Sequence, residues 1–387
     1  RPGAHPAFSP GDGTRMTDEP SIPARIIFVG GGTGGTVGPG IAIAERLLDL
    51  EPTLKIVFVC SDRSVDRRLL DPGGWACVPT SARSPGVRPL PALRFARGWI
   101  ETRRQVREIL ADPIRSRVVA LGGYVAPPAV REAVHRGVPI DLLNLDRVAG
   151  RANQWIARRA NRILTAVPTD LPGSLPPVGV PLRRCVLPEE SPESSRISLG
   201  LKPDRPTLLI TGASQGAASI DRFLLDLIPR HIEWFDGWQI LHLASDDSVP
   251  RLENEYSASG IHAVVLPFLD RMGAAWAAAD LAITRGGASS LAEVSASRTP
   301  SIVLPYPWHE DEHQLKNAAA LEKSGAVVIR RDPAKGIAAI TALESRLAIL
   351  LRSADERARM EASFPPAGED AAEVLARMLL QPADAAN

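Results

Sequence analysis

A chain of 387 residues, 44% hydrophobic and 23% charged, exceeds one ordinary core and has the composition of a soluble globular protein of two domains. Its 45 basic and 44 acidic side chains leave a net charge of +1, so no global field draws it to nucleic acid. Cys60, Cys77 and Cys185 form no CxxC pair, which argues against a disulfide scaffold or zinc site and for a reducing, cytoplasmic setting; no run approaches the ~18 apolar residues of a membrane span.

In chain order, residues 1–24 are rich in Pro, Gly and Asp, begin with Arg and hold Met16; they read as a disordered leader or an over-extended start, outside the fold. From Arg25 the runs "RIIFVG", "KIVFVC", "RVVALGG", "PIDLLNLD" and "RILTAV" predict strands buried on both faces of a parallel sheet. Helical stretches separate them, among them "PGIAIAERLLDL" with Pro39 near its start and "APPAVREAVHRG" ending at Gly137. Residues 168–206 have the Pro, Ser and Gly content of a linker and hinge. The alternation then restarts with "PTLLITG", "QILHLAS", "HAVVLPF", "LAITRG", "PSIVLPYP" and "AVVIRR", and the tail is helical. The expected fold class is α/β, two doubly wound parallel-sheet domains facing a cleft: residues 25–180, residues 181–360, and a helical tail over 361–387 that returns to the first domain.

Five stretches carry chemistry. "GGGTGG", residues 30–35, lets backbone N–H groups approach an anion such as a diphosphate; a tight turn without a ligand is the bland alternative. It is neither a P-loop, since no Gly-Lys-Ser/Thr follows, nor a good dinucleotide fingerprint, since no acidic residue ends the second strand. "TGASQGAASID", 211–221, offers Ser214 and Gly216 either to a second phosphate or to an ordinary helix cap. "ITRGGASSLAEVSA", 283–296, puts Glu293 near a helix start, where it favours the dipole or accepts from a ribose diol. "PYPWHEDEHQLKNA", 305–318, spells HExxH from His309 to His313, but Pro305 and Pro307 place the run in a loop or at a helix start and no third ligand follows at a recognisable spacing, so no metal site is expected. Finally, residues 88–110 mix Leu90, Leu93, Phe95, Trp99 and Ile100 with six arginines, as in a helix lying on an anionic membrane surface or packing its apolar stripe inward.

In order and spacing, "GGGTGGTVGPGIAIAERL", "ALGGYVAPPAV", "GASQGA", "TRGGASSLAEVSASRTPSIVLPYP" and "DEHQLKNAAALEKSGAVVI" resemble one family, the GT-B glycosyltransferases of peptidoglycan synthesis (the MurG family). The resemblance runs from about Arg25 to Leu380 and is most specific over 283–326. It implies inverting transfer of N-acetylglucosamine from its UDP sugar to an undecaprenyl-diphosphate-linked muramoyl-pentapeptide, by a peripheral protein on the cytoplasmic face of the plasma membrane, with no cofactor or essential metal and no nucleic acid partner. Donor binding falls to Thr33, Gly34, Gly35, Arg183, Ser214, Leu269, Ala288, Ser289, Ser290, Leu291, Ala292, Glu293 and Gln314. Glu293 would bind the ribose, Leu269 the uracil by its backbone, Gln314 the sugar hydroxyls, and Arg183 and the 288–292 helix start the phosphates. The acceptor diphosphate falls to Gly31, Gly32, Thr36, Gly122, Gly123 and Tyr124, and the 88–110 stretch matches the membrane-facing patch.

Two positions depart from the family pattern, both on the acceptor side. The histidine that usually ends the glycine loop is Thr36, and the asparagine of "HEQN" is Asp146 in "LNLD". Threonine is no base near neutral pH and a carboxylate is, so Asp146 is the candidate catalytic base. Other readings are a UDP-sugar-dependent transferase with a different acceptor and a UDP-sugar-binding protein without catalysis. A UDP-sugar 2-epimerase shares the layout, but its acidic and histidine catalytic set finds no match.

Overall fold

The computed structural model describes residues 22–32, 34–85, 88–112, 114–212, 218–308 and 312–382. Most of the leader, Thr33, Ser214 and the segment from His309 to Asp311 lie outside the described residues.

The first half runs β1 (Arg25–Gly30), α1 (Gly34–Leu50), β2 (Lys55–Ser61), α2 (Ser64–Leu70), β3 (Cys77–Thr80), α3 (Pro89–Ile109), β4 (Ser116–Gly122), α4 (Ala126–His135), β5 (Ile140–Asn144), α5 (Arg151–Ala157) and β6 (Arg162–Thr165). Its sheet is wholly parallel, in the order β3-β2-β1-β4-β5-β6. The apolar run of β1 feeds two cores at once. Ile26 and Phe28 pack on one face with Phe58 and Leu47, while Ile27 and Val29 pack on the other with Val118 and Val130. Each such side chain contributes about 1.5–3 kcal/mol by leaving water.

The second half runs α6 (Pro192–Ser198), β7 (Thr207–Thr211), α7 (Ala218–Leu227), β8 (Gln239–Leu243), α8 (Val249–Ala258), β9 (His262–Leu266), α9 (Met272–Ala278), β10 (Leu281–Thr284), α10 (Ala288–Ser297), β11 (Ser301–Val303), α11 (His313–Ser324), β12 (Val327–Ile329), α12 (Ile337–Arg352), α13 (Ala354–Ala362) and α14 (Ala371–Leu380). Its order, β12-β11-β10-β7-β8-β9, is that of the first sheet read from the other edge. In each sheet the direction of winding reverses beside the first strand, between β1 and β4 and between β7 and β10. Such switch points open a crevice at the carboxyl ends of the strands.

The last helix leaves the second half. Leu375, Ala376 and Leu379 of α14 belong to the same cluster as Ile26, Phe28 and Leu47. Its final carbonyls are capped by buried arginines of the first sheet, Arg162 donating to Met378 O at 2.8 Å and Arg117 to Leu379 O at 2.6 Å. Asp141 balances both, pairing with Arg162 at 2.7 Å and with Arg117 at 3.6 Å.

Three details differ from the sequence expectation. β3 is an added strand that "CVPT" conceals, because a four-residue edge strand containing Pro79 shows no alternation. α6 interrupts the 168–206 linker, capped by Ser191, which accepts the Ser194 N–H at 3.2 Å. α1 begins five residues before Pro39, whose missing N–H leaves the Gly35 carbonyl without its helical donor.

Candidate active site

The glycine turn after β1 is shaped from beneath by Asp66. This fully buried carboxylate accepts the Gly32 N–H at 2.9 Å and the Ser61 N–H at 3.0 Å, while Arg63 donates to the Gly32 carbonyl at 3.0 Å. The Gly32 amide is therefore turned away from any ligand. Its φ of +96° excludes most side chains, and a Cβ there would lie 2.6 Å from the Tyr124 hydroxyl. Across from it, Gly123 has φ +75°, and its Cβ would come within 2.9 Å of the Gly31 carbonyl. The two glycine pairs predicted for the acceptor, Gly31 with Gly32 and Gly122 with Gly123, thus form one compact pad with Tyr124 over it. Gly35 differs: it is exposed, and a Cβ there would touch nothing within 4 Å. Packing does not require a glycine at that position, which opens the N-terminus of α1 to close approach. Gly34 begins this helix, and Thr36 is half-buried in its first turn.

In the second half Ala288, Ser289, Ser290, Leu291 and Ala292 form the first turns of α10, whose leading N–H groups have no partner within the helix. Glu293 lies one residue further on. The Trp276 indole N–H, itself buried, donates to Glu293 Oε2 at 2.8 Å, and Oε1 has no hydrogen bond among the described residues. Burial pushes the Glu293 carboxyl above its ordinary value, opposed by the Trp276 bond and by the positive charge of Arg183. Gln314, at the start of α11, accepts with Oε1 from the Tyr306 N–H at 2.8 Å and the Gly286 N–H at 3.3 Å, tying the β10 and β11 loops together. Leu269 is half-buried after β9, packed on the core of the second sheet.

The two halves meet around these turns. Ala288, at the tip of α10, and Phe268, next to Leu269, both pack on the first-half core. Arg183 is half-buried at the crossing, where a Cβ on Gly38 of α1 would lie 3.9 Å from its Nε. The following backbone is pinned to α1 by the Arg184 N–H, which donates to Glu45 at 3.0 Å, and by the ion pair of Arg184 with Asp49. Asp146, half-buried after β5, accepts from Asn317 Nδ2 of α11 at 3.0 Å.

Among the described residues several buried side-chain polar atoms lack a hydrogen-bond partner, and two of them are hydroxyls in these turns, Tyr124 OH over the glycine pad and Ser289 Oγ in the first turn of α10. An orphaned buried polar group costs about 1–3 kcal/mol, which a ligand oxygen would relieve. Among the described residues no group of three His, Cys, Asp or Glu side chains is placed to hold a metal ion; α11 begins at His313, behind Glu312 with its φ of +50°, and the segment from His309 to Asp311 lies outside the described residues.

The structure thus gathers Gly31, Gly32, Gly35, Thr36, Gly122, Gly123 and Tyr124 at one switch point, and Ala288 to Glu293 with Gln314 at the other. Arg183 and Asp146 lie between. The sequence reading missed Asp66, Trp276 and Asn317. Asp66 had a signal, since a Ser- and Asp-rich turn follows β2, where an acidic residue is expected in a nucleotide fold; here it serves the glycine turn instead. Trp276 carried none, because an indole in an alanine-rich helix reads as core.

The glycosyltransferase family 28 N-terminal domain matches residues 26–165, and the family 28 C-terminal domain matches residues 207–375. The UDP-N-acetylglucosamine–N-acetylmuramyl-(pentapeptide) pyrophosphoryl-undecaprenol N-acetylglucosamine transferase of Salinibacter ruber is 35% identical over 379 residues, covering 93% of this chain and 97% of that protein. The protein of the same name from Mycolicibacterium vanbaalenii is 33% identical over 371 residues, covering 92% and 89%. Among solved structures, Acinetobacter baumannii MurG matches with a TM-score of 0.64 at 21% identity, over 92% of this chain and 99% of that one. A UDP-N-acetylglucosamine 2-epimerase matches with a TM-score of 0.58 at 11% identity, over 90% and 93%. At these identities the structural likeness is one of fold, the GT-B arrangement of two doubly wound sheets. The sequence identity to the relatives goes further: this chain belongs to glycosyltransferase family 28 and, within it, to the MurG family.

Proposed function

We propose that the chain transfers N-acetylglucosamine from UDP-N-acetylglucosamine, with inversion, to an undecaprenyl-diphosphate-linked muramoyl-pentapeptide. The observation that carries this reading is the pair of orphaned hydroxyls, Tyr124 OH and Ser289 Oγ, each in a turn suited to a diphosphate, on opposite halves of the fold. One turn suits the diphosphate of a lipid-linked acceptor, the other that of a nucleotide donor.

In this reading Glu293 accepts from the donor ribose, held for that task by Trp276, and Leu269 presents backbone to the uracil. Ser214 and the α10 start meet the diphosphate, and Thr33 to Gly35 approach the donor from the opposite half. Gln314 spends its oxygen on two loop amides, which leaves its NH2 group to donate to a sugar hydroxyl. The acceptor oxygen attacks the anomeric carbon as the bond to the UDP oxygen breaks, and the acceptor proton passes to Asp146. Negative charge growing on the departing UDP meets Arg183 and the N-terminus of α10. No metal enters this scheme.

Membrane attachment belongs to the same proposal. No helix among the described residues is long and apolar enough to cross a membrane. On α3, however, Leu90, Leu93 and Ile100 are 68%, 67% and 69% exposed, and with the exposed Arg97 and Arg104 they form one stripe at helical spacing. Apolar side chains flanked by arginines suit the interface of an anionic leaflet, and the cytoplasmic face is the side on which a UDP sugar is available.

The test is transfer of labelled N-acetylglucosamine from the UDP sugar to the lipid-linked muramoyl-pentapeptide by purified protein, with EDTA present and donor binding followed in parallel. Transfer in EDTA supports the reading. Donor binding without transfer to this acceptor sinks it and points to another acceptor or to a protein without catalysis.

A further inference from the structure

Asn317 sits one turn beyond Gln314 on α11, so the two side chains project from the same side of the helix. Gln314 holds loops of its own half, whereas Asn317 reaches the other half. Its Nδ2 donates to Asp146 at 3.0 Å, and its Oδ1 accepts the Arg147 backbone N–H at 3.4 Å. On the far side the contact is continued by a chain of amides. Asn144 donates to the Asp146 carbonyl at 2.7 Å, Asn153 donates to Asn144 Oδ1 at 3.0 Å, and Asn153 lies against Gly122 of the glycine pad.

We propose that Asn317 is a positioning residue that sets Asp146, and through it the acceptor side, against the sugar-reading end of α11. A carboxylate can only accept, so Asp146 fixes which way the Asn317 amide faces and lets its oxygen take the Arg147 N–H at the same time. An asparagine at position 146 could also turn its own NH2 group toward Asn317, which a carboxylate cannot do. The aspartate that departs from the family pattern is thereby matched to a partner across the cleft, and its other oxygen, which has no hydrogen bond among the described residues, stays available to the acceptor proton. Held at one oxygen, the carboxylate loses rotamer freedom that it would otherwise lose in each transition state.

This inference rests on the proposed role of Asp146 as base, and the experiment separates the two. Four full-length proteins are compared with UDP-N-acetylglucosamine bound: the wild type, Asn317→Asp, Asp146→Asn, and the double exchange. Hydrogen exchange at the Arg147 amide reports the cross-cleft contact, and transfer kinetics report the chemistry. Asn317→Asp sets two carboxylates face to face; Arg147 exchange is expected to quicken about tenfold, with kcat falling about thirtyfold and donor KM changing less than about threefold. The double exchange restores a donor facing an acceptor and should restore protection. Unchanged protection in Asn317→Asp, or none regained in the double exchange, overturns the inference. If protection returns but kcat does not, the assignment of Asp146 as base stands as well. If both return, the base assignment fails and the positioning role survives it.

Discussion

Asp66 and Gly32 are 34 residues apart, yet one carboxylate oxygen of Asp66 receives the Gly32 amide at 2.9 Å together with the amide and hydroxyl of Ser61. The glycine turn is therefore stiff because a buried charge organises it. Asp66→Ala should lower unfolding free energy by about 3 kcal/mol, since it strands buried N–H groups, and Asp66→Asn by about 1 kcal/mol, since an acceptor remains. Denaturant titration measures both. Equal losses in the two variants would show that the charge is unimportant.

Glu293 predicts a pH dependence. Burial raises its folded value above the ordinary 4.5. A raised carboxyl favours the fold when protonated, so its contribution is greatest below 4.5 and falls as pH climbs through the raised value. Glu293→Gln should remove that decline and weaken donor binding. Trp276→Phe, which deletes a bond to the charged form, should move the decline to higher pH. Unfolding free energy followed from about pH 4 to about pH 8 checks this, and identical profiles for Trp276→Phe and wild type would refute it.

Glu132 predicts the opposite slope. Hydrogen bonds from Arg107 and Arg103 of α3 hold this α4 carboxylate down at about 2. A depressed carboxyl stabilises the fold when charged, so its contribution is complete above 4.5 and is lost as pH falls toward about 2. Glu132→Gln should be less stable at neutral pH and flatter in acid. Because the same bonds seat α3, this variant should also bind anionic vesicles less tightly, whereas Leu90→Asp with Leu93→Asp should lose vesicle binding with stability unchanged. Sedimentation with anionic and with zwitterionic vesicles distinguishes the two effects.

Gln314 separates scaffolding from recognition. Gln314→Glu keeps an acceptor for Tyr306 and Gly286 and loses only the NH2 group, so stability should hold within about 0.5 kcal/mol while donor KM rises about tenfold. Gln314→Ala should cost about 1–2 kcal/mol as well. A donor KM unchanged in Gln314→Glu would remove the glutamine from sugar recognition.

Both sheets were legible in the sequence because strands covered on two faces leave unbroken apolar runs, as in "RIIFVG" and "TLLIT". The switch-point turns were legible because backbone that passes close to backbone leaves glycines, as at Gly31 and Gly123. Edge strand β3 and helix α6 were not, since short elements leave too few residues for a period to show. The side chains that hold the site in shape left least trace. Asp66 acts on a glycine in another loop, Trp276 on a glutamate in another helix, and Asn317 on an aspartate in the other half. Pairings of that kind are set by tertiary contact, and local pattern does not encode them.

The return of α14 reverses the order in which the molecule is finished. Leu375, Ala376 and Leu379 fill a core whose other members begin at Ile26, so the first half of the fold is completed only by a helix made after the second half. Until then the α1 face of that half is bare, and the second half must fold beside an incomplete neighbour. A fragment ending before α14 would lack the part of its core that joins the two halves from behind.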